Sequence, residues 1–236
     1  MNSASPLAIR SRIDETGFAI VSHGDTRHLL GALATADIEA FAESWNDLAL
    51  DTYMADGGRY RRRRHAVFEV SSDAVTRLPD QPHYQSTQYN TLNGGIERWF
   101  EPVTEAIAQG PVLAALFAAC RTLFPLDEAP AWRAELHQFR IEATADAAGQ
   151  PTPEGRHRDG VDWVCVLLVR RSNLAEGTTE IFRPDGAPLG AFTLTDPFDA
   201  VFLDDHRVMH GVTAVHPVEA DQPGYRDVLV LTFKKQ

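Results

Sequence analysis

From residue 131 onward the chain breaks into short strand-like runs with turn signals between them and no helical spacing to separate them. "AWRAELHQFRIEA" alternates in places, and "WVCVLLV", "TTEIF", "AVFLD" and "DVLVLTF" follow it. Asp185-Gly186, between "TTEIF" and "LGAFTL", is a hairpin signal, because both residues tolerate the positive φ that a tight turn requires. Strands in this succession cannot make a parallel sheet, which needs a crossover between neighbours. They specify an antiparallel sandwich or barrel. Ahead of them, Ile38, Phe41, Trp45 and Leu48 line one side of a helix over about 35–50, and a second helical region covers about 96–124, with Pro102 and Pro111 at starts or breaks. "GFAIVS" (17–22) reads as a short strand. With no repeat and no low-complexity linker, the expectation is one domain over 1–236, helix-rich to about 130 and with its β core over about 131–236.

At the start of the second strand run, "HRDGVDWVCVLLV" sets His157 and Asp159 two residues apart. On extended backbone that spacing points both side chains to one face. An imidazole and a carboxylate so placed are two ligands and need a third to make a metal site, and His206, His210 and His216 in "DDHRVMHGVTAVHP" each offer one. Two histidines and one carboxylate on one face of an octahedral metal leave three positions open, the arrangement of non-haem Fe(II) oxygenases. His-x-Asp also occurs by chance, and spacing alone does not choose among the three downstream histidines.

"PEGRHRDG", "VFLDDHRVMHGVT" and "GYRDVLVLTF", with "HYQSTQYNTLNGGIERWF" and "ELHQFRIEA" upstream, resemble the 2-oxoglutarate/Fe(II) dioxygenase family that includes L-isoleucine 4-hydroxylase. The likeness runs in order from about Tyr60 to Phe233. It implies a double-stranded β-helix (jelly-roll) core with flanking helices, so the fold class is mainly β, α+β. It implies that His157, Asp159 and His210 are the Fe(II) ligands and that Arg226 anchors the distal carboxylate of 2-oxoglutarate, a task suited to a permanently charged, bidentate guanidinium. His206 and His216 are then loop histidines. The implied cofactors are Fe(II), the co-substrate 2-oxoglutarate and O2, with ascorbate as a reductant. A small residue in place of Asp159 would open a position for halide, so the carboxylate there favours hydroxylation.

Other residues carry two readings each. "GRYRRRRHAVF" (58–68) as a strand sends Arg61 and Arg63 to one side and Arg62 and Arg64 to the other. It reads either as a solvated edge that discourages strand pairing or as a pocket wall whose arginine binds a substrate carboxylate. Gln85, Gln88, Asn90 and Arg98 supply polar groups to a segment that the resemblance makes a substrate lid, with Gln88 and Asn90 as candidate substrate contacts. Gln138 and Arg140 share one face of their strand and His137 and Phe139 the other; Gln138 is the candidate for contact with the co-substrate. Trp163, Phe182 and Cys165 read as packing, Asp204-Asp205 as a hydrogen-bonded turn, and Glu154 and Asp162 as partners for backbone near the metal pair.

A net charge of −11 excludes the basic face of a general nucleic-acid binder. No run approaches the roughly 20 apolar residues of a membrane helix, the N-terminus lacks a signal-peptide core, and two cysteines are too few for a disulfide framework. The expectation is a cytoplasmic protein whose oligomeric state is open. The resemblance implies hydroxylation of an aliphatic C–H of a free L-amino acid or close derivative, giving succinate and CO2. The competing readings are the same iron chemistry ending in desaturation or cyclisation of another small metabolite, a protein-modifying hydroxylase, and a jelly-roll sensor that binds metal without turnover.

Overall fold

The computed structural model describes residues 4–236. The N-terminal half runs α1 (Pro6–Thr16), β1 (Phe18–Val21), α2 (His23–Leu30), α3 (Thr35–Glu43), β2 (Ala49–Leu50), β3 (Arg61–Ser71), β4 (Val75–Arg77), β5 (His83–Tyr84), β6 (Glu97–Arg98), α4 (Glu105–Ala108) and α5 (Pro111–Leu123). After it come β7 (Ala131–Ala143), β8 (Trp163–Ser172), β9 (Leu174–Glu176), β10 (Thr179–Phe182), β11 (Pro188–Phe192), β12 (Ala200–Asp204), β13 (Met209–Val212), β14 (Val215–Pro217) and β15 (Gly224–Lys235). The helices end where the local chemistry says they should. Ser5 caps α1 by accepting from the Ala8 amide, and Gly17 closes it in the left-handed conformation. Pro111 opens α5 at a position where its missing N–H costs nothing.

The main sheet has eight strands, ordered β1-β12-β8-β15-β7-β3-β2, with β4 paired to β3. A smaller sheet, β11-β10-β13, is joined through the β10–β11 hairpin, where Gly186 takes a φ of 90°. All pairings between named strands are antiparallel, which gives the jelly-roll arrangement. The main sheet draws β1 and β3 from the N-terminal half, so the division into helices first and β core second does not hold. β3 is also no solvated edge. It lies between β7 and β2, and Arg61, Arg63 and Arg64 are buried.

Strand alternation gives the main sheet two different faces. On β15, Leu229, Leu231 and Phe233 pack with Leu136 of β7, Leu167 of β8 and the helices in one large apolar cluster. The intervening residues Arg226, Val228, Val230 and Thr232 line a cavity of about 510 Å³ on the other face. Register places the cavity residues in rungs: Ile141 stands between Arg226 and Arg61, Phe139 between Val228 and Arg63, and His137 between Val230 and His65. Among the described residues no helix is long and apolar enough to cross a membrane.

Candidate active site

Backbone geometry brings the candidate metal-binding side chains together. His157 and His210 form an isolated antiparallel bridge, each amide donating to the other's carbonyl at 2.9 Å. His210 sits on β13; His157 lies in the loop that leads to β8. Asp159 is held on that loop by the buried Asp205, whose carboxylate accepts from the amides of Asp159 (2.9 Å), Gly160 (2.8 Å) and Val161 (3.2 Å). Gly160 takes a φ of +79°, and a Cβ there would meet the Tyr89 ring at 2.5 Å, so only glycine lets the loop turn beneath that ring. Asp204-Asp205 is thus the hydrogen-bonded turn that its sequence suggested, with its acceptor spent on the ligand loop.

One nitrogen or oxygen from each of His157, Asp159 and His210 lies within 4.8 Å of the others. His157 Nε2 is 3.5 Å from Asp159 Oδ1, and His210 Nε2 is 3.8 Å from Asp159 Oδ2. His157 Nδ1 donates to the Gly155 carbonyl at 3.0 Å, which leaves Nε2 facing the carboxylate. That is how a metal-binding imidazole is ordinarily oriented. His210 Nδ1 is buried with no partner. Burial opposes charge on His157, yet its hydrogen bond to Asp159 and the charges of Asp159 and Glu154 raise it to about 9. Burial, then the His157 charge, lowers His210 to about 4; burial opposes charge on Asp159, but the two histidines outweigh it and bring Asp159 to about 2. The set is therefore an anion between a protonated imidazole, His157, and a neutral one, His210, the place a divalent cation would take by displacing that proton. The donor set fits Fe(II).

A second histidine cluster tests that reading. His65, His83, His137 and Glu135 also lie close enough together to share an ion. Glu135 Oε2 accepts from His65 Nε2 at 3.0 Å and His83 Nδ1 at 2.6 Å, and Oε1 accepts from Arg133 Nε at 3.0 Å. Arg63, a donor only, is 2.7 Å from His137 Nδ1, so that nitrogen must accept. A ligating imidazole donates its other N–H outward, and His137 meets a guanidinium there instead. This cluster is a hydrogen-bonded hub around one carboxylate. It pins β5 to β3 and β7. Burial holds all three histidines below their ordinary range, while their hydrogen bonds and charge pull Glu135 far below its own despite burial.

Arg226 lies in the cavity wall, 3% exposed, with Nε buried and without a partner. Burial, reinforced by the charge of Arg171, lowers its guanidinium to about 10. Arg61 and Arg63 also face the cavity, but both are already paired with the same carboxylate, Asp51. Arg61 Nε donates to it at 2.8 Å, and Arg63 NH1 is 3.7 Å away. Arg63 is further held between Phe100 and Phe139, 3.7 and 4.5 Å from the ring centres. Asn90 is buried in the cavity wall with Oδ1 accepting from the Asn93 amide.

Two expectations are corrected. Gln138 lies on the face of β7 turned toward the helices, and its Nε2 donates to Ser44 Oγ at 2.8 Å; the cavity face carries His137 and Phe139. Ala134 and Leu136 share Gln138's parity, and that apolar pattern was the signal to read. Gln88 is exposed and borders a separate small pocket beside Arg156 and Arg158. His206 is exposed and bonded to Asp162, and His216 is exposed on β14, both away from the metal-type cluster. Arg98, not singled out as a site residue, is buried in the cavity wall with two guanidinium nitrogens unpartnered.

The 2OG-Fe dioxygenase family model matches residues 42–232. The chain is 25% identical over 207 residues to 3(1)-hydroxy-L-isoleucine 4-dioxygenase of Pantoea ananatis (strain AJ13355), covering 84% of this chain and 81% of the relative. It is 26% identical over 195 residues to L-isoleucine-4-hydroxylase of Bacillus thuringiensis, covering 78% and 80%. The crystal structure of a bsmA homologue from Methylobium petroleophilum PM1 superposes with a TM-score of 0.90 at 34% identity, over 99% of this chain and 94% of that one. The jelly-roll sheets, the two-histidine and one-carboxylate cluster and these likenesses agree: the chain belongs to the 2OG-Fe dioxygenase family and is an Fe(II)/2-oxoglutarate-dependent dioxygenase.

Proposed function

We infer that the enzyme hydroxylates an aliphatic C–H of a free L-amino acid or a close derivative, with Fe(II) held by His157, Asp159 and His210 and 2-oxoglutarate anchored at its distal carboxylate by Arg226. The observation that carries this reading is one cavity with a two-histidine, one-carboxylate cluster in its wall and, in the same wall, a buried guanidinium with no acidic partner. Its volume of about 510 Å³ is ordinary for a small-molecule site and suits no folded partner. The two curated relatives are named for L-isoleucine and a hydroxylated L-isoleucine, which supports a small aliphatic amino acid.

When bound, iron and 2-oxoglutarate activate O2, the co-substrate leaves as succinate and CO2, and one oxygen atom enters a substrate C–H. The chain supplies placement. Asp205 fixes the loop that carries Asp159, and the His157–His210 bridge fixes the imidazoles. Val166, Val201, Val212, Val228 and Val230 give the cavity an apolar wall that can receive hydrocarbon and exclude water.

The test is succinate release from 2-oxoglutarate with Fe(II), ascorbate as reductant and a panel of free L-amino acids, followed by mass spectrometry for the gain of one oxygen. At least one amino acid should raise succinate and yield that product, and Asp159→Ala should abolish both. A panel that gives neither, or an Asp159→Ala enzyme with full activity, overturns the reading.

A further inference from the structure

Charge in the cavity does not balance. Arg61 and Arg63 share Asp51, and Arg133 pairs with Glu135. Among the described residues, Arg98 has no carboxylate within 4 Å, although it is only 2% exposed. Its Nε and one terminal nitrogen are buried and make no hydrogen bond. Burial first, then the charge of Arg61, holds this guanidinium below its ordinary value, with Asp51, Glu154 and Glu135 offsetting only part of that cost. A desolvated cation without a counter-charge is expensive for a fold to keep unless a ligand supplies the anion. Arg226 is the other such cation in the cavity, and the co-substrate accounts for it.

Glu154 presents the opposite case. It lines the same cavity, its side chain is 9% exposed, and Oε2 is buried with no partner. Its Oε1 is 3.6 Å from His157 Nε2, so this carboxylate stands at the border of the candidate metal cluster without belonging to it. Arg98 and Glu154 feel each other's charge yet do not pair. An unmet cation and an unmet anion facing one cavity, held apart, are the complement of a zwitterion.

We propose that Arg98 and Glu154 form a clamp for the α-carboxylate and α-ammonium of the substrate, so that the enzyme selects free amino acids over peptides and over amidated or N-acylated derivatives. Arg98 grips the carboxylate with parallel N–H donors, and Glu154 accepts from the ammonium. The side chain of the substrate is then the part left to face the valine-lined wall. Arg98 is carried by the β5–β6 pair, and the Glu135–His83 bond fastens that pair to β7, so the Arg98 arm of the clamp is tied to the main sheet. This assignment rests on the amino-acid reading above and transfers the carboxylate contact from Arg61 and Arg63, which Asp51 occupies.

The test titrates the anaerobic enzyme, loaded with Fe(II) and 2-oxoglutarate, with the L-amino acid that gives most succinate in the panel, with its primary amide and with its N-acetyl derivative. The unmodified enzyme should bind the free amino acid about 100-fold more tightly than either derivative, as expected for loss of one charge-assisted pair. Arg98→Gln should bind the acid and the amide equally while still rejecting the N-acetyl compound. Glu154→Gln should do the reverse. Both should retain metal content and 2-oxoglutarate affinity. Arg98→Lys, which keeps the charge, should retain most of the preference for the acid over the amide and serves if Arg98→Gln fails to fold. The clamp is overturned if Arg98→Gln still rejects the amide, if Arg98→Lys is indifferent to it, or if Glu154→Gln loses its metal, which would make Glu154 a ligand. Failure of every free amino acid with the unmodified enzyme overturns the substrate class itself, a result separate from the variants' behaviour.

Discussion

Replacing Arg226 with methionine should make the ligand-free enzyme more stable and the 2-oxoglutarate-bound enzyme less so. Arg226 is 3% exposed, and no carboxylate lies within ion-pair distance among the described residues. Its guanidinium falls from its ordinary value to about 10, because burial and then the Arg171 charge disfavour the cation. At 1.36 kcal/mol per tenfold change, keeping that charge in the fold costs about 3 kcal/mol at neutral pH. Methionine has similar reach, carries no charge and adapts to irregular space. A chain of this size gains roughly 2–4 °C per kcal/mol. Even with half the gain lost to poorer packing, Arg226→Met should melt about 4 °C higher than the parent when no 2-oxoglutarate is present. Saturating 2-oxoglutarate should reverse the order. At 100 times its Kd the ligand stabilises the parent by about 2.7 kcal/mol, whereas the variant, having lost a bidentate charged contact, binds about 100-fold more weakly or worse. Anaerobic melting of both proteins with metal, with and without the co-substrate, gives four curves whose order should cross. A variant that melts below the parent without ligand and still responds to 2-oxoglutarate would refute both the cost assigned to the buried cation and its role as anchor.

Three further expectations follow from particular contacts. Asp205→Ala leaves three amides of the ligand loop without their acceptor and should weaken Fe(II) or Co(II) binding about 10–100-fold in a metal titration; unchanged affinity would show that the loop holds Asp159 without it. His65, His83 and His137 all sit below their ordinary 6.5, and His83 is near 4, chiefly through burial. The unfolded chain therefore binds protons that the folded chain refuses, so stability is complete above about pH 6.5 and falls as pH drops toward 4. His83 alone contributes a loss of about 2 kcal/mol at pH 5, readable in urea midpoints, and a flat profile between pH 7 and 5 would contradict the hub. Gln138→Leu should leave the KM for 2-oxoglutarate within about twofold, since that side chain faces Ser44 and the helices; a tenfold rise would return Gln138 to the cavity.

The strands were legible because their turn signals and alternation are local. β1, β7, β8, β10, β12 and β15 all lie where the sequence pattern puts them, and Asp185-Gly186 makes its hairpin. The first helix was read too long: α3 ends at Glu43, Trp45 follows in a 3-10 turn, and Ala49 and Leu50 already pair with β3. Within 96–124, Pro102 and Pro111 divide the segment as proline should, but Glu97 and Arg98 are extended. What sequence could not supply was the partner of each charge. The arginine run of β3 read equally as a water-facing edge or a pocket wall, because Asp51 and Asp47, which meet Arg61 and Arg64, lie in irregular backbone or a 3-10 turn with no pattern of their own; Arg61 and Arg63 line the cavity. Parity separated Gln138 from His137 correctly, and Ala134 and Leu136 marked Gln138's side as the core face, a signal that the polar Gln138 and Arg140 on the same side obscured.

The reciprocal amide bonds between His157 and His210 have a consequence for how this centre can change. Both imidazoles are fastened through main chain, so no neighbouring side chain has to be retained to keep them abreast, and drift at surrounding positions leaves their spacing intact. The carboxylate has no such insurance; it hangs on a loop that two side chains steady, Asp205 as acceptor and Gln85 as donor to the Asp159 carbonyl. Descendants of this chain can therefore alter the acidic corner of the triangle, by substitution or by a shifted loop, while the imidazole side persists as a fixed rail.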